Sequence, residues 1–175
     1  MSKFINPSLV IAQTGLVKGG VVADLGCGSG FYVLPAAQMV GAEGVVYGVD
    51  VQAAKLEATS SIAKQMGYKN VKIVHADLSK PLLELEEHSC DLVVIGNILH
   101  EISVPDKLLA NAYRLLKPEG KILVVEWKKE GTPFGPAIDR RISQQQLEVM
   151  LMRAGLRKEQ DLEADGYHYA VLFKR

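Results

Sequence analysis

The stretch Val21-Val22-Ala23-Asp24-Leu25-Gly26-Cys27-Gly28-Ser29-Gly30 has residue types and spacing that could do chemistry. A β-rich apolar run carries an acid, then meets three glycines at alternate positions, and Phe31-Tyr32-Val33-Leu34 follows. Glycine permits positive φ and lets a ligand approach bare backbone, so the pattern reads as strand, tight turn and helix N-terminus. In open α/β sheets a nucleotide-like ligand lies at that place, against the first amides of the helix. Two further acids sit at similar points. Asp50 closes Gly44-Val45-Val46-Tyr47-Gly48-Val49, and Asp77 follows Val71-Lys72-Ile73-Val74-His75-Ala76. Each could accept hydrogen bonds from a ligand, or serve as an ordinary helix N-cap or turn carboxylate.

A second substrate would meet the same edge of the sheet. His100 and Glu101 follow the apolar run Asp91–Asn97, and Glu126 and Trp127 follow a fifth run beginning at Lys121. His100 could act as a general base near neutral pH, or with Glu101 it could cap or pack the next helix. Trp127, an aromatic with a polar handle, suits either packing or an acceptor platform. Arg140 and Arg141 lie in a Gly- and Pro-rich stretch and could hold an anionic group or remain solvated. No metal site is expected, because His75, His88, His100 and His168 lack ligand spacing with each other or with Cys27 and Cys90. Cys27 is expected to contribute backbone and a small side chain to the turn, not a nucleophile.

The dinucleotide fingerprint fails at its last glycine, since that position is Phe31. Between Val21 and Asp50 there is no Lys or Arg, and the charged residues are Asp24, Glu43 and Asp50. A pyrophosphate would meet an adjacent negative charge there. A ligand with a ribose, an ammonium group and a sulfonium is favoured by carboxylates. Charge therefore favours S-adenosylmethionine over NAD.

Asp24-Leu25-Gly26-Cys27-Gly28-Ser29-Gly30, Asp50, His75-Ala76-Asp77, Asp91–Asn97 and Leu116-Lys117-Pro118-Glu119-Gly120-Lys121 together resemble the class I S-adenosylmethionine-dependent methyltransferases. The subgroup resembles the small-molecule branch that includes the ubiquinone/menaquinone-biosynthesis methyltransferases, and the likeness runs from about Leu9 to the end. The resemblance implies that Gly26, Gly28 and Gly30 pass under the methionine and ribose portions, with Asp24 near the ammonium group. It implies that Asp50 takes both ribose hydroxyls, that Val51 flanks the adenine, and that Asp77 accepts from its exocyclic amine beside Ala76 and Leu78. Asn97 would face the donor. The product would be S-adenosylhomocysteine and the acceptor an unidentified small molecule. Two other readings stay open: a donor-binding partner subunit without turnover of its own, and an NAD-dependent enzyme.

The elements that must hold these residues follow from periodicity. Helices are expected over 7–14, 31–40, 52–66, 104–116 and from Ser143 to Gly155. Leu56, Ala63 and Met66 share one side of the third, and Ser143 with Gln146 forms a capping box for the last. Strands are expected over 21–25, 44–50, 71–75, 91–97, 121–126, 156–162 and 167–173, with Pro118-Glu119-Gly120 as a turn and the last two strands joined as a hairpin. Such alternation predicts an α/β fold. With the resemblance, it implies a Rossmann-like class I methyltransferase sandwich, a mostly parallel seven-stranded sheet with an antiparallel terminal strand and helices on both faces. One domain is expected: an N-terminal helix and turn (1–19), a donor-binding core (20–126), an acceptor-side loop (127–142), and a helix with the terminal hairpin (143–175).

The 175 residues are 48% hydrophobic, enough for a proper core, and twenty basic residues balance twenty acidic ones. Nothing in that balance predicts a nucleic-acid or membrane partner. Two cysteines far apart and no long apolar run point to a reduced, cytoplasmic setting. A homodimer or a partner chain could complete the acceptor pocket.

Overall fold

Strand and helix patterns alternate along the chain, and the computed structural model, which describes residues 4–175, turns them into a single layered sheet. The strands are β1 (Val21–Leu25), β2 (Val45–Asp50), β3 (Val71–His75), β4 (Cys90–Gly96), β5 (Leu116–Trp127), β6 (Arg157–Leu162) and β7 (His168–Lys174). The helices are α1 (Pro7–Ala12), α2 (Val33–Val40), α3 (Ala53–Gln65), α4 (Pro105–Leu115) and α5 (Gln144–Arg153). No helix among the described residues is long and apolar enough to cross a membrane.

The strand order is β3-β2-β1-β4-β5-β7-β6. β1 to β5 pair in parallel, and β7 is antiparallel to both β5 and β6. The chain's last strand is thus interior, which is why almost all of β7 is buried while most of the edge strand β6 is exposed. β4 sits between β1 and β5, and its run Leu92-Val93-Val94-Ile95 is buried on both faces, as a near-continuous apolar strand requires.

Alternation along each strand sorts the core into two halves. One face packs Val22, Leu92, Val94, Leu123, Val125, Ala170 and Leu172 against Val10 and Ile11 of α1, Val33 and Ala37 of α2, and Leu56 of α3. The other packs Ala23, Val93, Ile95, Val124, Tyr169, Val171 and Phe173 against Leu108 and Leu109 of α4 and Leu147 and Leu151 of α5.

Local differences from the expected boundaries have local causes. α2 begins at Val33, not Phe31, because Phe31 and Tyr32 stay in the glycine turn. α3 buries Leu56, Thr59 and Ala63, whereas Met66 lies past its end and is exposed. The expected turn at Pro118-Glu119-Gly120 falls inside β5. Leu116 pairs with Cys90 and Lys121 with Leu92, so the residues between them bulge out of register. β5 also runs on to Trp127, while Tyr167 stays in the loop before β7. The capping box is present: the Ser143 hydroxyl accepts from the Gln146 amide, and the Gln146 side chain accepts from the Ser143 amide.

Gly96, at the carboxyl end of β4, is in direct contact with the Tyr32 ring; a Cβ there would lie 2.3 Å from Tyr32 Cε2. Tyr32 is itself buried. Gly96→Ala is therefore expected to destabilise the protein by about 1–3 kcal/mol, the range for overpacking a filled core. Urea unfolding, read as a lower midpoint at unchanged slope, checks this.

Candidate functional site

Asp50 builds the turn after β1. Its Oδ2 accepts from the Gly28 amide at 2.9 Å and its Oδ1 from the Gln52 amide at 2.8 Å, while the Gly26 and Cys27 amides both donate to the Val49 carbonyl at 2.8 and 3.0 Å. The glycine turn is thereby tied to the end of the neighbouring strand. Gly26 has φ +81° and lies under Ile98, whose Cδ1 would be 2.0 Å from any added Cβ. Gly28 has φ +51° and nothing nearer its Cβ position than Lys55 Cδ at 3.9 Å, so its backbone is open to a ligand. Gly30 is packed instead against Thr59, which also donates to the Gly28 carbonyl at 2.9 Å.

Above this turn and the carboxyl ends of β1, β2, β4 and β5 opens a cavity of about 780 Å³. Gly26, Cys27, Gly28, Asp50, Val51, Ala76, Asp77, Leu78 and Asn97 all border it, as do Glu101 and Trp127. Asp24 lies behind the turn, 2% exposed, with Oδ2 lacking any hydrogen-bond partner. Burial, with the neighbouring Asp50 charge, pushes its carboxyl up to about 8. Asn97 has φ +53°, and its Oδ1 is likewise buried without a partner. Buried polar atoms are seldom left unpaired, and two of them beside an open glycine turn fit a polar ligand with a cationic group. Asp77 takes the Ser79 amide at 2.9 Å and faces Lys80 at 3.5 Å; the Ser79 bonds, reinforced by Lys80, hold its carboxyl below the usual range. Burial and the Asp24 and Asp50 charges push the Cys27 thiol up, so it stays protonated.

The remaining expected site residues stand elsewhere. Glu126 and Trp127 are neighbours in β5, so their side chains leave opposite faces of the sheet. Trp127 faces the cavity. Glu126, 1% exposed, faces the other way: Oε1 accepts from the Leu99 amide at 2.7 Å, and Oε2 lies 3.3 Å from His100 Nδ1. His100 does not border the cavity; it is clamped between Glu126 and Glu101 in the short 3-10 turn after β4. Arg140 also lies outside, donating to the His100 carbonyl at 3.3 Å. Arg141 is neither solvated nor aimed at a ligand. It is 4% exposed and donates to the carbonyls of Lys128, Glu130, Phe134 and Pro136, with its guanidinium 5.5 Å from the Trp127 ring. Among the described residues no three His, Cys, Asp or Glu side chains converge as a metal site.

Lys55, Tyr32 and His168 are among the cavity residues that had no role assigned from the sequence. A Lys one turn into a helix carries no signal of its own. Placing Tyr32 and His168 requires knowing that α2 packs beneath Gly96 and that His168 pairs with Trp127 across strands.

The sequence matches the family described as "Methyltransferase domain" over residues 16–164. The chain belongs to this family. That family is the class I S-adenosylmethionine-dependent methyltransferases, and S-adenosylmethionine is the cofactor that the family membership implies. It is similar to an arsenite methyltransferase of Aquipseudomonas alcaligenes, 39% identical over 64% of this chain and 34% of that protein. It is also similar to the ubiquinone/menaquinone biosynthesis C-methyltransferase UbiE of a Marinomonas species, 32% identical over 68% of this chain and 47% of that one. The chain thus matches between a third and a half of the length of these curated relatives. Among solved structures, an S-adenosylmethionine-dependent methyltransferase of Aquifex aeolicus superposes with a TM-score of 0.90 at 30% identity, covering 98% of this chain and 90% of that one. The [4+2]-cyclase SpnF superposes at 0.80 with 19% identity over 97% of this chain and 80% of that one, a likeness of fold alone.

The buried Asp24 sets a pH dependence. Its folded pKa lies above its unfolded value, so between about pH 4 and 8 the folded state holds a proton that the unfolded chain has released. Stability contributed by this group therefore falls as pH rises through that window. Asp24→Asn is expected to stabilise the ligand-free protein by about 1–3 kcal/mol at pH 8 and by little near pH 4, measured by urea unfolding at both values. Arg141→Ala should lower stability by about 2–4 kcal/mol, because a buried guanidinium that ties four loop carbonyls together is lost, and should expose the 128–140 loop to limited proteolysis.

Proposed function

We propose that this chain transfers a methyl group from S-adenosylmethionine to a small molecule. The observation that carries the reading is the open Gly28 backbone beside a partnerless Asp24 carboxyl oxygen, with no phosphate-binding cation in the turn itself. Asp24 answers the donor's ammonium group. Asp50 keeps one lone pair on each oxygen for the two ribose hydroxyls, because its other acceptor positions hold the Gly28 and Gln52 amides. Val51, exposed on the cavity wall, flanks the adenine, and Asp77 takes its exocyclic amine between Ala76 and Leu78. Asn97 faces the donor from the end of β4.

When bound, the donor supplies a methyl group on a sulfonium that already carries the charge of a good leaving group. The chain's own residues position the partners and exclude water. On this reading the acceptor meets Trp127, Ile98, Ile102 and Val104, which line the cavity together with Glu101. That one chain supplies these walls as well as the glycine turn favours an enzyme over a donor-binding subunit. The relatives' quinone and arsenite substrates support a small acceptor without choosing one.

Calorimetric titration with S-adenosylmethionine, S-adenosylhomocysteine and NAD tests the reading. Saturable binding of the first two and none of NAD is expected; binding of NAD alone would overturn it. Asp50→Ala should weaken binding of both adenosyl compounds by about 1.5–3 kcal/mol, the scale of hydrogen bonds to a charged group, or roughly 10- to 150-fold in Kd. Unchanged affinity would remove Asp50 from the ribose.

A further inference from the structure

We propose that His168 is the proton acceptor of this site, a catalytic residue that takes the proton of a hydroxyl group on an apolar ring-shaped acceptor, with Asp165 as its positioning residue. The proposal rests on the methyl-transfer reading above. His168 opens β7 and is 3% exposed. Its Nδ1 lies 2.9 and 3.0 Å from the two carboxylate oxygens of Asp165, which is held in turn by the Tyr167 and His168 amides at 2.8 and 2.7 Å. Burial pushes the Asp165 carboxyl up, but the bonds from the His168 ring and from the two amides outweigh it and hold it below the usual range. Asp165 is therefore a fixed carboxylate that keeps a proton on Nδ1, which makes Nε2 the nitrogen that can gain and lose one.

Nε2 is buried and has no partner in the protein, although the ring borders the cavity. A histidine serving only the hairpin would leave no such atom stranded. The ring also stacks on Trp127, its cross-strand partner, with centroids 4.1 Å apart and planes inclined at 44°. Trp127 is backed in turn by Gly135 and the Arg141 guanidinium. The Tyr32 hydroxyl, on the same face of the sheet, is a second buried polar atom with no partner. The cavity that these rings border is also lined by the apolar side chains of Ile5, Phe31, Ile98 and Ile102. Such a wall suits an apolar ring carrying one weakly acidic hydroxyl.

In the step assigned to His168 the acceptor O–H bond breaks and an Nε2–H bond forms. The oxygen keeps the electron pair and uses it to bond the methyl carbon, while the sulfur retains the pair of the bond that breaks. The imidazolium is paired with Asp165 until its proton leaves to solvent with the product. The general-base role is of the kind worth 10²–10⁴-fold in rate.

The test uses 4-nitrophenol, whose phenolate has its own absorption band, added to the full chain with saturating S-adenosylhomocysteine at a pH where the free probe is mostly protonated. The expected result is a phenolate band from bound probe in the wild type. His168→Gln should lose it at least tenfold while binding S-adenosylhomocysteine within twofold of wild type, and Asp165→Asn should reduce it in part. In methyl-transfer assays across phenols of graded acidity, His168→Gln should lose roughly 10²-fold or more on the least acidic and least on 4-nitrophenol. A missing band in the wild type, or a band that survives His168→Gln, overturns the proposal while normal S-adenosylhomocysteine binding leaves methyl transfer standing. Failure to bind S-adenosylhomocysteine overturns both. If His168→Gln does not fold by circular dichroism, His168→Asn takes its place, and the wild-type band alone still decides the first outcome.

Discussion

Burying a carboxyl group that finds no hydrogen-bond partner is costly, and it is costlier still beside another acid. Asp24 does both, and it cannot relax. In the middle of β1 it is paired on one side with Gly48 of β2 and on the other with Val94 of β4, so its side chain stays where the sheet holds it. Asp50 adds its charge from the end of β2 while holding the Gly28 amide, so the same residue that shapes the turn raises the carboxyl of Asp24. The strained Asn97 backbone and its stranded oxygen complete an edge whose polar groups are arranged for something other than the protein. On the reading proposed above, the donor's ammonium group and ribose hydroxyls are the partners that these side chains lack in the protein.

The parity of β5 divides labour between the two faces of the sheet. Glu126 points toward α4 and α5 and ties down the segment after β4 through the Leu99 amide and His100. That segment carries Ile98, which covers Gly26, so a buried acid on the far face helps close the donor turn on the near one. Trp127, one residue on, points into the cavity and meets His168 across the antiparallel β5–β7 pair. Buried and cavity-facing positions thus alternate along two consecutive residues because successive side chains of a strand must diverge.

The Trp127 side of the cavity is ordered by the buried guanidinium of Arg141. Arg141 gathers carbonyls from Lys128 to Pro136 around a guanidinium whose planar donors suit several acceptors at once, and its ring-facing side backs Trp127. Phe134, in that loop, packs against Phe4 and Tyr167, bringing the N-terminal segment, the loop and the hairpin together at one rim of the cavity.

Periodicity and glycine spacing made the α/β alternation legible. Those signals are local: two-residue alternation, a Ser143–Gln146 capping pair, a glycine turn after an apolar run. The polar edge of the cavity was legible for the same reason, since Asp50, Asp77 and Asn97 lie at or beside strand ends and parallel strands bring their carboxyl ends together. Residues on the acceptor side depend on contacts that sequence distance conceals. Whether Glu126 or Trp127 faces the ligand turns on which side of β5 is covered by α4 and α5. Whether His168 is a core histidine or a cavity one turns on β7 inserting beside β5 instead of extending the edge. The sequence by itself determined the elements, the glycine turn and the acids around it, because each is written in neighbouring residues. Only the tertiary structure decided which buried polar atoms go without partners, because partnership is a matter of which strands pair and which faces meet.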